Sequence, residues 1–359
     1  MTQHAAGNII GNRYTIHGQI GEGGMQYVYK AHDQLLDRFV ALKTPKNSSA
    51  TKRFKRSAIV AAKVNHHNVA KTLDYVREGD NRYLIEELIE GKDLQEALLV
   101  KSKFLDPYLA ARVFNQLAKG LAAAHHAGVI HRDLKPSNVM VSGEYSLTSL
   151  KITDFGIAKM AGEELTDAAM GGPSTISMSQ TAVGALPYMA PEAIETPHEV
   201  GPPADVWSIG AMYYQLITGL LPFGNGLKAV QKILNVDIEP APNFLLRNPQ
   251  FSPLAKELLS IALSCLKKSP NERPTADELV SKCCQLCYAV APRHEGTINN
   301  FLHNSWGFIS QEDGNVFFHK ESVYGPNSIK KGASVNFSKY DGGGAFRAHP
   351  VLIYDDEKE

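Results

Sequence analysis

The chain has 359 residues, of which 43% are hydrophobic and 21% charged, and its formal net charge is zero, so the whole molecule has no electrostatic attraction for nucleic acid or membrane. The length exceeds that of one average domain. Because the sequence contains neither an apolar run of about 18 residues nor a basic-then-apolar leader, it predicts a cytoplasmic protein.

The N-terminal part predicts a disordered start followed by strands and a helix. Residues 1–12 are polar and contain glycine and asparagine, so we expect disorder there. From Tyr14 the pattern alternates, is interrupted by a glycine-rich run at 21–24, and resumes in a strand that ends at Lys43. Residues 51–64 predict a basic helix, whose charges form either a solvated face or a docking site for an acidic partner.

The most informative part of the sequence follows a long alanine-rich helix predicted over 107–128. It reads His131-Arg132-Asp133-Leu134-Lys135-Pro136-Ser137-Asn138, and Asp154-Phe155-Gly156 comes after it. Phosphoryl transfer needs such a set, because an acid positions a hydroxyl, a cation faces the γ-phosphate, and an amide with a second carboxylate holds Mg²⁺.

These motifs resemble the catalytic loop and metal-binding turn of eukaryotic-like protein kinases, in their Ser/Thr form, as found in bacteria. The resemblance covers about residues 13–288 and implies a bilobal α+β fold. It implies that Asp133 is the base, that Lys135 stabilises the transferring phosphoryl group, and that Asn138 and Asp154 hold Mg²⁺.

The same resemblance implies an ATP site between the lobes. Its residues would be Ile20, Gly21, Gly23, Val28, Ala41, Lys43, Glu87 and Ile89. Lys43 would hold the α- and β-phosphates, and the backbone of Glu87 and Ile89 would meet the adenine.

The chain departs from the family pattern in the surroundings of Lys43. Ser57 stands where a glutamate usually pairs with that lysine, and no acid occurs between Asp37 and Asp74. Glu86 occupies the usually apolar gatekeeper position. We hypothesise that Glu86 replaces the missing partner; the alternatives are a one-residue misalignment or a side chain that reaches solvent.

Other departures affect the glycine-rich loop and the segment before the substrate lobe. Gln26 lies where the third glycine is usual, and Ala185 follows Gly184 where a threonine is common. Between Asp154 and Pro191 the sequence resembles an activation segment. Its candidate phosphorylation sites are Ser179 and Thr181, and Arg132 is the arginine that would bind such a phosphate.

Several residues of the C-terminal lobe are implied to hold the fold. Asp205 would brace the catalytic loop, and Arg273 would pair with Glu192. Thr275 and Glu278 predict a capping box at the start of the last helix.

Of four cysteines, three lie close together at the end of this lobe. Cys283, Cys284 and Cys287 are spaced to share one helical face, with His294 nearby. Zinc or redox chemistry is one interpretation, and a reduced face packed in the core is the other.

After a linker predicted at 289–294, residues 295–354 show about five short β runs, which predict a small barrel. Asn304 to Ile309 and Val316 to His319 resemble the two RNA-binding motifs of cold-shock domains, which are five-stranded OB-type barrels. Residues 355–359 form an acidic tail.

One face of this barrel would carry aromatic rings. Its members are Trp306, Phe308, Phe317 and His319, which alternate with Ile309, Val316 and Phe318. Such rings can stack on the bases of RNA or single-stranded DNA. The alternative is a barrel adapted to bind protein, since its net charge of about +1 gives little attraction for phosphate.

Together these features predict a Ser/Thr protein kinase that uses ATP and Mg²⁺ on protein hydroxyl groups and carries a barrel that binds single-stranded nucleic acid. The alternative is a non-catalytic kinase-like scaffold whose barrel mediates RNA or protein binding.

Overall fold

The structure is a computed structural model and describes residues 4–22, 26–46, 51–155 and 184–354. A six-stranded antiparallel sheet forms the N-terminal lobe, in the order β1-β2-β3-β4-β6-β5. Its strands are β1 (Ile9–Ile10), β2 (Tyr14–Glu22), β3 (Gln26–Asp33), β4 (Arg38–Pro45), β5 (Thr72–Glu78) and β6 (Asn81–Glu87). Helix α1 (Thr51–Ala61) packs on this sheet through Phe54 and Ala58, which contact Leu84.

The prediction of disorder over 1–12 is wrong for the part of this range that the structure describes. Ile9 and Ile10 form an edge strand opposite Thr15 and Tyr14, and Ile10 is buried in the sheet core. His4 contacts the hydroxyl groups of two buried tyrosines. A few apolar side chains therefore fix this segment, although its composition is polar.

The C-terminal lobe is mostly helical. Its helices are α2 (Pro107–His126), α3 (Pro191–Glu195), α4 (Pro202–Thr218), α5 (Lys228–Asn235), α6 (Phe244–Arg247), α7 (Ser252–Cys265) and α8 (Ala276–Gln285). A π-helical turn spans Gln95–Leu99. Helix α2 is the central element, because a whole face of its alanines and leucines is buried against α4, α7 and α8.

The sequence explains both ends of α2. The carboxylate of Asp106 accepts hydrogen bonds from the backbone N–H groups of Tyr108 and Leu109, and Pro107 occupies the first turn, where no N–H is needed. Gly128, with φ +69°, follows the helix end and turns the chain towards the catalytic loop.

A small sheet positions the residues of the two predicted kinase motifs. It consists of β7 (Lys92–Asp93), β8 (Val139–Ser142) and β9 (Ser149–Ile152). The catalytic loop lies between α2 and β8, and Asp154 follows β9 directly. Pairing of Val139 with Ile152 therefore brings the two motifs to the same edge of this sheet.

The C-terminal module is a closed five-strand barrel, so the predicted fold class is confirmed. Its strands are β10 (Arg293–Leu302), β11 (Trp306–Gln311), β12 (Gly314–His319), β14 (Ser334–Asp341) and β15 (Phe346–Ile353), with the short β13 (Val323–Tyr324) added beside β15. They pair in the order β12-β11-β10-β14-β15, and Phe317 opposite Arg347 closes the ring. Ile309, Val316 and Phe318 are buried in its core.

The predicted linker at 289–294 is too long, because β10 already begins at Arg293. The guanidinium of Arg293 lies 2.7 Å from the carboxylate of Asp106, and both side chains are almost fully buried. Tyr324 and Leu352 of the barrel belong to the same apolar core as the helical lobe. The barrel is therefore packed against the helical lobe.

The cysteine cluster does not form a metal site. Cys283 is buried, whereas Cys284 and Cys287 are exposed, and α8 ends before Cys287. Within the described ranges no group of three or more His, Cys, Asp or Glu side chains could hold a metal ion.

Two fold-level points complete the description. The capping box of Thr275 and Glu278 is confirmed, with both reciprocal hydrogen bonds present. Among the helices that the structure describes, none is long and apolar enough to cross a membrane.

Candidate active site

The catalytic loop is held from below by Asp205 of α4. This fully buried carboxylate accepts the backbone N–H groups of His131 and Arg132 at 2.8 and 2.7 Å, and His125 Nε2 lies 3.0 Å away. The predicted brace is confirmed. The contact matters because Arg132 has φ +70°, a left-handed conformation that costs a non-glycine residue roughly 1–3 kcal/mol.

His131 connects the catalytic loop to the metal-binding turn. Its Nε2 donates to the carbonyl oxygen of Thr153 at 2.8 Å, and its Nδ1 accepts the backbone N–H of Asp133 at 3.2 Å. These two partners select the neutral tautomer with the proton on Nε2. The ring also packs against Phe155 at 4.7 Å, so one imidazole sets the spacing of both motifs.

Asp133, Lys135 and Asn138 lie together as the sequence predicts. The Lys135 ammonium is 3.1 Å from Asp133 Oδ2. The Asn138 amide nitrogen donates to the backbone oxygen of Asp133 at 2.7 Å and to its carboxylate at 3.1 Å. The amide nitrogen of Asn138 is thus engaged with Asp133.

Asp154 occupies a second strained position, with φ +62°. Its Oδ1 accepts hydrogen bonds from Lys43 Nζ and from Gln26 Nε2, each at 2.8 Å. Although burial alone would raise the pKa of Asp154, the positive charge of Lys43 lowers it overall, so the carboxylate is ionised.

Lys43 lies between two carboxylates. Its Nζ is 2.6 Å from Glu86 Oε2 and 2.8 Å from Asp154 Oδ1, and the Lys43 and Glu86 side chains are 7% and 5% exposed. Burial opposes the charge of Lys43, but the two carboxylates outweigh it and raise its pKa. Burial also raises the pKa of Glu86, which Lys43 counteracts.

Sheet register explains why Glu86 reaches Lys43. Ala41 is opposite Glu86 in the antiparallel pair β4–β6, and Lys43 is two residues further along β4. Side chains two residues apart lie on the same face, so Lys43 and Glu86 are diagonal neighbours across the pair. The side chain of Ser57 lies outside what the structure describes.

The predicted adenine side of the cleft is only partly defined. Gly21 pairs with Val28, Ala41 is buried, and Ile20 is half exposed. Glu87 ends β6, and its carboxylate lies 2.7 Å from Lys151 Nζ. Ile89 follows two residues later. Gly23 and the predicted phosphorylation sites Ser179 and Thr181 lie outside the described residues.

The residues at the base of the cleft fit Mg²⁺ accompanied by a nucleotide. Mg²⁺ prefers hard oxygen ligands and is commonly bound by one or two carboxylates together with substrate phosphates. The carboxylate of Asp154 and the amide oxygen of Asn138 are ligands of this kind.

Gln26 and Lys151 were not predicted as site residues. The sequence marks Gln26 only as a departure from the third glycine, and nothing in its neighbourhood indicates that it reaches Asp154, 128 residues away. Lys151 is an ordinary strand lysine by sequence, yet it forms the ion pair with Glu87.

The predicted pair of Arg273 and Glu192 is confirmed. Two parallel hydrogen bonds of 2.5 and 2.8 Å join the guanidinium to the carboxylate, and the guanidinium also lies over the Trp207 ring. This pair anchors α3 to the segment just before α8.

The four predicted aromatic residues of the barrel lie at one edge of β11 and β12. Trp306 and Phe317 are stacked with ring centroids 6.0 Å apart, and Phe308 meets both edge-on. Arg347 lies over the Phe317 ring at 6.0 Å. The ring of His319, opposite Trp306 in the register, accepts the backbone N–H of Glu321.

A bilobal fold with a lysine on β4, a braced His-Arg-Asp loop and an Asp-Phe-Gly turn beside it defines the protein kinases. Comparison with known proteins agrees. The family model for the protein kinase domain matches residues 14–283, and the chain belongs to this family. The match ends before the barrel begins.

The similar proteins bear the names of bacterial kinases. A probable serine/threonine-protein kinase of Clostridium perfringens is 32% identical over 281 residues, covering 76% of this chain and 38% of that protein. Serine/threonine-protein kinase pkn3 of Myxococcus xanthus is 33% identical over 285 residues, covering 77% and 50%. PknL of Mycobacterium tuberculosis is 31% identical over 240 residues, covering 65% and 56%. The chain thus matches about half or less of the length of most of these relatives.

Proposed function

We propose that the chain is a Ser/Thr protein kinase, which transfers the γ-phosphate of ATP, with Mg²⁺, to serine or threonine hydroxyl groups of proteins. The observation that carries the proposal is the convergence of two separate motifs on one cleft. Lys43 and Asp154 form one ion pair there, and Asp133 with Lys135 forms the other. The names of the similar proteins support the same chemistry.

In this mechanism each residue has a separate task. Asp133 accepts a hydrogen bond from the substrate hydroxyl and takes its proton as the new P–O bond forms. The bond between the γ-phosphorus and the bridging oxygen of ATP breaks in the same step, and ADP leaves. Lys135, 3.1 Å from that carboxylate, faces the transferring group. Asp154 and Asn138 would hold Mg²⁺, which would neutralise charge on the phosphates. Lys43 holds the α- and β-phosphates, with Glu86 as its partner.

Incubation with γ-labelled ATP and Mg²⁺, followed by phosphoamino-acid analysis, tests the kinase proposal. We expect label on serine or threonine of the chain itself or of a generic protein substrate, and a loss of roughly 100-fold or more in Asp133→Asn, because the base is removed. Equal labelling by both proteins, or none by the wild type, would favour the non-catalytic scaffold.

We further propose that the barrel binds single-stranded nucleic acid. The observation in favour is the half-buried ring cluster of Trp306, Phe308 and Phe317, which lies beside Arg347. Base stacking on such rings contributes roughly 1–3 kcal/mol for each base and depends little on sequence. An RNA-binding barrel would bring the kinase to RNA or single-stranded DNA.

Titration of a fluorescent single-stranded oligonucleotide tests this second proposal. The double variant Trp306→Ala/Phe317→Ala should weaken binding by about 10-fold or more, because two stacking faces are lost. Phe39→Ala removes an exposed ring of the kinase lobe and should have no effect. Equal affinities of the wild type and the double variant would contradict the stacking face.

A further inference from the structure

Gln26 is a buried polar residue at the base of the ATP cleft for which the kinase mechanism gives no role. It is the first residue of β3, opposite Pro45, and only 7% of it is exposed. Its side chain leaves the N-terminal sheet and reaches down to Asp154, where Nε2 donates to Oδ1 at 2.8 Å. This hydrogen bond connects the glycine-rich loop to the metal-binding turn.

The other end of the Gln26 amide has no partner among the residues that the structure describes. Its Oε1 is buried and accepts no hydrogen bond from any group that the structure describes. Rotating the amide by 180° would place this oxygen against the carboxylate of Asp154, so the orientation is fixed by charge. A buried acceptor without a donor is unfavourable, and such groups in folded proteins call for a functional explanation.

The chemistry of the carbonyl limits what can bind there. An amide oxygen accepts hydrogen bonds and ligates hard cations, but it repels the oxygens of a phosphate. The Lys43 ammonium already forms ion pairs with Asp154 and Glu86. The partner that fits Oε1 is therefore Mg²⁺ or a water molecule of its hydration shell.

The same geometry assigns a task to the nitrogen. Asp154 Oδ1 receives two hydrogen bonds, from Lys43 and from Gln26, while Oδ2 lies 3.5 Å from the Thr153 hydroxyl. The two hydrogen bonds to Oδ1 fix the orientation of the carboxylate. Outer-shell partners of this kind orient a metal ligand.

We propose that Gln26 is a positioning residue of the magnesium site. Its side-chain nitrogen orients Asp154, and its carbonyl oxygen accepts hydrogen bonds from the water molecules around the Mg²⁺ that enters with ATP. The inference rests on the proposed kinase function, since it requires a bound Mg²⁺–nucleotide. The inference goes beyond the kinase proposal because it assigns a metal-dependent role to a residue of the glycine-rich loop.

Calorimetric titration with a non-hydrolysable ATP analogue, with Mg²⁺ and then in excess EDTA, tests the inference without measuring activity. Gln26→Met preserves length and removes both polar atoms. We expect it to weaken binding of the Mg²⁺-nucleotide roughly 10–100-fold, as loss of outer-shell partners does at other metal sites. In EDTA its affinity should equal that of the wild type. Gln19→Met, an exposed change on β2, should match the wild type in both conditions.

The outcomes separate the two proposals. If the wild type binds the Mg²⁺-nucleotide and Gln26→Met binds it equally well, the magnesium role is wrong and the kinase proposal stands. Tighter binding by Gln26→Met would also contradict the inference, because Gln26 would then obstruct the nucleotide. If the wild type binds no nucleotide, both proposals fail.

Discussion

Asp205 determines the conformation of a loop to which it does not belong. Its two oxygens hold the N–H groups of consecutive residues, one of them the left-handed Arg132, and it has no exposed surface. Asp133, the proposed base, follows immediately. Hydrogen bonds to a buried charge contribute about 1.5–3 kcal/mol each, enough to offset the strain at Arg132.

Asp205→Asn should therefore destabilise the fold and impair the loop. An asparagine offers one oxygen and turns an NH₂ group towards the second N–H, so we expect the free energy of unfolding to fall by about 2–3 kcal/mol. Urea denaturation measures it. Asp277→Asn is the matched control, because Asp277 also contacts a histidine but is 65% exposed, and it should change stability by less than about 0.5 kcal/mol. Equal effects of the two changes would contradict the brace.

Among single residues, the sequence predicts the positions of those that belong to one continuous motif. Asp133, Lys135 and Asn138 lie within six positions, so their proximity is local, and Asp154 follows the adjacent strand. The contact of Gln26 with Asp154 spans 128 residues and depends on how the two lobes close. No local pattern encodes such a distance.

Asp106 connects two elements, the helix α2 and the barrel strand β10. One oxygen caps the helix, and the other lies 2.7 Å from the guanidinium of Arg293. The ion pair is buried on both sides, at 4% and 0% exposure. The start of the barrel is thus attached to the start of the central helix.

Arg293→Ala should be strongly destabilising, because the Asp106 carboxylate would remain buried without its counter-charge. Breaking such a pair costs roughly 3–5 kcal/mol. Chemical denaturation of the full chain checks this. Lys92→Ala, which breaks an exposed pair with Glu144, should cost less than about 1 kcal/mol. A small, similar loss in both variants would show that the Arg293 pair does not anchor the barrel.

This anchor explains why the element boundaries were predicted imperfectly. Residues 289–294 contain proline and small residues, which are typical of a linker, yet Arg293 is already in a strand. The strand begins there because its first side chain forms an ion pair with Asp106, 187 residues earlier in the chain. The barrel itself was predictable, since alternation of Ile309, Val316 and Phe318 with the surface rings is a local signal.

At the scale of the whole molecule, the barrel and the helical lobe share one apolar core. The ring of Tyr324 in β13 packs against Phe104 and Phe251 of the lobe, and His349 of β15 stacks on Phe251. Asn248 donates to the carbonyl oxygen of Glu321. The two parts should therefore unfold together.

Gly325→Ala should disturb this interface. A Cβ at Gly325 would lie 2.5 Å from the Phe104 ring, whereas one at Gly314 would meet no atom within 4 Å, and both glycines have positive φ, +111° and +126°. Backbone strain is thus matched, and the extra cost of overpacking at Gly325 should be about 1–3 kcal/mol.

Hydrogen exchange of the two variants reads out the result. Gly325→Ala should accelerate exchange around Phe104 in the kinase lobe as well as in β13, while Gly314→Ala should affect only the turn between β11 and β12. If Gly325→Ala leaves the kinase lobe unchanged, the barrel is not coupled to it.

The central claim is that Lys43 is held by Glu86, from within the sheet, in a kinase that binds ATP. ATP affinity, measured by calorimetry for Glu86→Met and Ser57→Ala, tests it most directly. Since losing one partner of a buried ion pair costs roughly 3–5 kcal/mol, Glu86→Met should weaken ATP binding at least about 10-fold. Ser57→Ala and the exposed Glu90→Met should stay within about twofold of the wild type. Wild-type affinity in Glu86→Met would contradict the claim.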